Sequence, residues 1–101
     1  MKEIVDAELK VNGSDVELNP FVEDFLARTV MGAVSSLRGP QSIRELQVSL
    51  EGEGVQISVN ADDLPLTPFP RQIIASTLLG LVSSLKGVGK VKSLNIHVKV
   101  R

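Results

Sequence analysis

The sequence predicts an α+β domain, a two-layer sandwich of order β-α-β-β-α-β. Three observations predict it: a tandem repeat, a strand–helix–strand hydrophobic pattern in each copy, and turn signals between the elements. Shifting the 101-residue chain by 48 residues lays Val11-Asn12 on Val59-Asn60 and Asp15 on Asp63. Leu18, Pro20 and Phe21 fall on Leu66, Pro68 and Phe69, and Thr29 and Gly32 on Thr77 and Gly80. Val34-Ser35-Ser36-Leu37-Arg38-Gly39 falls on Val82-Ser83-Ser84-Leu85-Lys86-Gly87. The match runs nearly end to end without an insertion, so residues 1–101 read as one domain, with repeat one about 1–48 and repeat two about 49–101.

The elements follow in order. Val5, Ala7, Leu9 and Val11 alternate with Asp6, Glu8 and Lys10, the pattern of a half-buried strand. Turn residues come next, Asn12-Gly13 in one copy and Asn60-Ala61-Asp62 in the other. Asn19 or Thr67 then supplies a helix N-cap and Pro20 or Pro68 the first helical position. The helices are expected to end near Arg38 and Lys86, capped by Gly39 and Gly87. Leu46, Val48 and Leu50 give the strand that closes repeat one. Val55, Ile57 and Val59 open the second copy, and Leu94, Ile96, Val98 and Val100 close it. Gly52-Glu53-Gly54 is short enough to join strands two and three as a hairpin.

Right-handed crossovers combined with that hairpin give a ferredoxin-like sandwich, a four-stranded antiparallel sheet with two helices on one face. The alternative is a sheet with extra short strands at Val16-Glu17-Leu18 and Leu64-Pro65-Leu66, each paired to the strand before it.

Composition excludes several classes. There is no cysteine, hence no disulfide, thiolate nucleophile or cysteine metal site. No run of about 18 apolar residues exists, so no membrane span is expected. Residues Ile4 to Val11 alternate like a strand and not like a signal peptide, which makes the cytoplasm the expected location. The polar sheet face carries Asp6, Glu8, Lys10, Gln47, His97 and Lys99 but no aromatic residue. RNA readers of this architecture stack bases on sheet aromatics, so that mode is disfavoured.

On a helical wheel, Val22, Leu26, Val30, Ala33 and Leu37 form the sheet-facing stripe, with Ile74, Leu78, Leu81 and Leu85 in the second copy. One flank carries Thr29, Gly32 and Ser36, matched by Thr77, Gly80 and Ser84. It suits close contact between the two helices of one chain or with another subunit. The other side is also apolar: Ala27, Met31 and Val34, with Ala75, Leu79 and Val82. Those six are the expected interaction surface. All twelve acidic residues lie at or before Asp63, and beyond it only basic charges occur. Lys86, Lys90, Lys92, Lys99 and Arg101 form a candidate anion-binding set. The bland alternative is compensation, with His97 and Lys99 facing Asp6 and Glu8 across neighbouring strands.

No catalytic, cofactor or metal site emerges. His97 is the single histidine. Gly87-Val88-Gly89-Lys90 follows a helix, whereas a phosphate loop precedes one. Asp15 and Asp63 belong to loops at opposite ends of the sheet, too far apart for a catalytic pair. Ser35-Ser36 and Ser83-Ser84 have no base at a useful spacing.

The doubled motif V-N-x-x-D-x-x-L-[NT]-P-F with G-x-V-S-S-L-[RK]-G resembles that of small uncharacterised archaeal proteins of about this length. The resemblance spans the whole chain and implies no activity. The residues themselves point to a non-enzymatic interaction module, a homodimer or larger homo-oligomer. The alternative is nucleic-acid or anionic-ligand binding through the basic second repeat.

Overall fold

The computed structural model describes residues 4–38, 42–52, 54–65, 68–85 and 89–101. Strands β1 (Val5–Val11) and β2 (Ser14–Val16) precede helix α1 (Pro20–Arg38) and strand β3 (Glu45–Glu51). Then come β4 (Gly54–Val59), β5 (Asp62–Leu64), α2 (Pro68–Ser83) and β6 (Ser93–Val100). All six strands form one antiparallel sheet of order β2-β1-β6-β3-β4-β5.

The α+β class therefore stands, but the ferredoxin-like four-stranded arrangement is wrong. In that arrangement β1 and β4 are the central pair and β3 and β6 the edges. Here β3 and β6 are central, paired from Glu45↔Lys99 to Glu51↔Ser93. The reason lies in two short hairpins. Asn12 and Gly13 both have positive φ (53° and 83°), the backbone of a two-residue hairpin turn, and Val11 pairs with Ser14 across it. β2 thereby takes one side of β1, and β6 takes the other. No side remains for β4. The Asn60-Ala61 turn, with φ of 52° and 73°, does the same for β4 with β5 and β3. The extra strands sit two residues earlier than the sequence alternative placed them, at Ser14–Val16 and Asp62–Leu64.

The pairings recur with the 48-residue offset. Leu9 pairs with Val16 and Ile96, and Ile57 pairs with Leu64 and Val48. Val48 and Ile96, themselves equivalent, face each other at the centre of the sheet. Each strand–helix–strand unit thus leaves a one-strand gap that the other unit's last strand fills.

Two asparagines clamp this interlock. Asn12 Oδ1 accepts Lys92 N–H (2.7 Å) and Ser93 N–H (3.0 Å), while its Nδ2 donates to Lys90 O (2.8 Å). Asn60 makes the equivalent set with Arg44 N–H (2.8 Å), Glu45 N–H (3.1 Å) and Ser42 O (3.0 Å). Asparagine side chains in turns commonly bond the backbone of their own turn. These two bond the incoming strand of the other unit instead.

The core lies between one sheet face and the helices. Alternate strand residues such as Leu9, Leu46, Val48, Ile57, Leu94 and Ile96 are buried under Leu26, Val30, Ile74 and Leu78. Asn19 caps α1 as expected, its Oδ1 accepting Val22 N–H at 2.8 Å. Thr67, Gly39 and Gly87, the other expected caps, lie outside the described residues.

Candidate functional site

The helix faces are rotated from the expected orientation. Ala27 and Val82 are 0% exposed and Val34 is 1% exposed, so half of the expected interaction surface is core. Met31, Ala75 and Leu79 are half-buried and pack against that core from its margin. On α1 the fully buried set is Leu26, Ala27, Val30 and Val34, turned by roughly 50° from the expected stripe at 100° per residue. Both flanks of each helix are apolar, so hydrophobicity alone did not fix the angle.

The rotation lifts other residues outward. Phe21 (74% exposed), Phe25 (49%) and Ile73 (52%) stand on the outer helix surface, with Phe21 and Phe25 stacked at a centroid distance of 6.0 Å. Gly32 and Gly80 are exposed beside them, and a Cβ added at either would meet nothing within 4 Å. Among the described residues, the expected close contact between the two helices is therefore not made at these glycines. Phe25 and Ile73 occupy equivalent places in the repeat, 48 residues apart. Between the helices, Thr29, Ala33 and Thr77 line a seam of about 10 Å³ above Val48, room for one water at most.

The candidate anion-binding residues are not brought together. Lys90 and Lys92 lie at the start of β6, beside Asn12. Lys99 and Arg101 lie at its far end, about 24 Å away for a seven-residue extended run. Lys86 is outside the described residues. Lys99 is flanked by Asp6 on β1 and Glu45 on β3, and Arg101 Nε donates to Asp6 Oδ2. That hydrogen bond, and then the Asp6 charge, raise the Arg101 pKa above its ordinary value. His97 faces Glu8 across the strands, and its Nε2 lies 3.3 Å from Glu45 Oε2, off the hydrogen-bond line. These contacts are the cross-strand compensation that the charge layout suggested.

The open sheet face holds a shallow polar trough of about 310 Å³ lined by Glu8, Lys10, Gln47, Ser49, Asn95 and His97. Ser49 Oγ donates to Asn95 Oδ1 at 2.7 Å. Elsewhere the serine hydroxyls serve the helices: Ser36 Oγ donates to Ala33 O and Ser84 Oγ to Gly80 O. No cluster of three metal-ligating side chains occurs among the described residues, and no described helix is long and apolar enough to cross a membrane. Two clefts flank the sheet at equivalent places. One, beside β1, is lined by Glu8, Lys10, Asp15 and Glu23; the other, beside β4, by Gln56, Asp63, Pro65 and Arg71.

No family model matches the chain, and no match is found among curated proteins or solved structures.

Proposed function

We propose that the protein is a non-catalytic interaction module that pairs with a second copy of itself through the outer faces of α1 and α2. The observation that carries this reading is the make-up of those faces. Phe21, Phe25 and Ile73 are exposed, Gly32 and Gly80 present bare backbone, and α2 carries no charge between Arg71 and Leu85. A glycine inside a helix costs about 1 kcal/mol relative to alanine. No described residue uses the space that these two leave, whereas a second helix packed close over them would.

The extent of the surface also fits. Helices of 19 and 16 residues are about 28 and 24 Å long, and side by side they present roughly 500 Å² in projection. That is of the order of the ~800 Å² of accessible surface per partner that a stable interface buries. Thr29, Gly32 and Ser36 recur as Thr77, Gly80 and Ser84, so the two helices carry small residues at matching positions. A chain without cysteine fits a reducing compartment, and we assign the module to the cytoplasm on that ground.

Sedimentation equilibrium at micromolar concentration is expected to give twice the 10.9 kDa monomer mass. Phe25→Asp with Ile73→Asp is expected to weaken association by about a hundredfold or more, as for buried apolar anchors, with the circular dichroism unchanged. Gly32→Ala with Gly80→Ala is expected to raise monomer stability by about 1 kcal/mol per site and to weaken association. A wild-type chain that stays strictly monomeric refutes the proposal.

A further inference from the structure

We infer that the chain exchanges halves with a second copy of itself, the β4-β5-α2-β6 unit of one copy closing the sheet of the β1-β2-α1-β3 unit of the other. The charges on the last strand of each unit confine the exchange to unlike units. Neither unit closes a sheet with its own strands. β6 lies between β1 and β3, and β3 lies between β6 and β4. The six hydrogen bonds of the asparagine clamps and the Arg101–Asp6 bond all run from one unit to the other. One covalent link joins the units, the residues Gly52 and Glu53 between β3 and β4. Every one of these contacts can therefore be remade by the same residues of a second copy, which is the condition for a domain swap.

The link opens without loss of register. Glu51 pairs with Gly54 across it, and Gly52 holds a left-handed backbone (φ 60°) that only the closed hairpin needs. When a hairpin with a two-residue loop opens, its antiparallel ladder runs on in the same register between two copies. A hinge this short invites exchange.

Charge selects which unit enters. Lys99 on β6 is opposite Asp6 on β1 and Glu45 on β3. Its equivalent in the first unit, 48 positions earlier, is Glu51. If β3 of a second copy took the place of β6, the recurring register would set its Glu51 between Asp6 and Glu45, three carboxylates abreast. Two-fold symmetry would make that cluster twice. A pair of second units escapes the repulsion but leaves Lys99 opposite Ser93 and Gly54, without a carboxylate. Like charges directly opposite across strands destabilise a sheet and opposite charges stabilise it, so the first unit takes the second and not its own kind. The exchange uses the sheet ladders and not the outer helix faces, so it stands or falls independently of helix-face pairing.

Two full-length chains with one cysteine each, Ser49→Cys and Asn95→Cys, test the exchange. Positions 49 and 95 are opposite one another on β3 and β6. The chains are mixed in equal amounts in urea, refolded together by dilution, oxidised, and weighed by mass spectrometry under denaturing, non-reducing conditions. A swapped dimer brings the two cysteines together, and a disulfide-linked heterodimer is the expected product. While monomer predominates, its ratio to monomer is expected to rise about tenfold for tenfold more protein during refolding, by mass action. Pairing through the helix faces leaves these positions apart on the open side of the sheet and gives no such product. Gln47→Cys mixed with Ser49→Cys reports like-unit pairing, in which those two positions would be opposite, and is expected to stay unlinked. No heterodimer at any concentration, or equal cross-linking by Gln47→Cys with Ser49→Cys, would overturn the inference. If a chain of the first pair does not fold, Gln47→Cys with His97→Cys gives the same readout from the neighbouring pair on these strands.

Discussion

Val82→Asp is expected to unfold the protein at room temperature, while Ser83→Asp, one residue along the same helix, is expected to leave it folded. Val82, in the last turn of α2, is fully buried in the core, and no polar or charged residue is buried among the described ones. A carboxylate there has no partner. It loses its hydration at a cost of several kcal/mol, and the packing of the valine is lost as well, roughly 2 kcal/mol more. The total approaches the whole stability of a domain this size, about 5–15 kcal/mol. Ser83 is exposed, and a change there is expected to stay within about 0.5 kcal/mol. Urea denaturation followed by circular dichroism makes the comparison. The pair also separates core from interface: a Val82→Asp chain that folds and only loses self-association contradicts the helix orientation described above.

The second large effect is expected at the asparagine clamps. Asn12→Ala removes three hydrogen bonds to the strand entering from the other unit and forces alanine into a left-handed backbone at φ 53°. Each bond is worth about 0.5–1.5 kcal/mol, at the low end here because the site is exposed, and the backbone strain adds about 1 kcal/mol. The expected loss is about 2–3 kcal/mol, with a similar loss for Asn60→Ala. Asn12→Gly separates the terms, since glycine accepts the backbone and loses only the bonds. It is expected to lose about 1 kcal/mol less than Asn12→Ala.

Most elements were legible because each carries a local signal. Strand alternation, Asn19-Pro20 and the turn pairs located β1, α1, β3, β4, α2 and β6 close to their observed bounds. The topology was not read because alternation says which face a residue takes, not which strand lies beside it. Yet Asn12-Gly13 held the deciding fact. Once it is taken as a hairpin turn, β1 has no side free for β4, and β3 and β6 must be central. The helix orientation failed for a different reason. With Ala27 and Val34 apolar on one flank and Val22 and Ala33 on the other, the 3.6-residue pattern had no sharp edge. The edge clefts could not be seen until topology placed Glu23 over Ala7 and Arg71 beside β4.

The interlocked sheet is tested most directly by a disulfide in a chain that has no cysteine of its own. Ser49 and Asn95 face each other on the open side of β3 and β6. Val100 N–H bonds Arg44 O, which makes this a non-hydrogen-bonded pair with an expected Cα separation of about 4.5 Å, within reach of a disulfide. Ser49→Cys with Asn95→Cys is expected to oxidise to an intramolecular disulfide that leaves no titratable thiol in the folded protein. A ferredoxin-like order would put β3 and β6 on opposite edges, three strand spacings or about 14 Å apart. Two thiols that remain free in the folded monomer under oxidation would contradict the interlocked order.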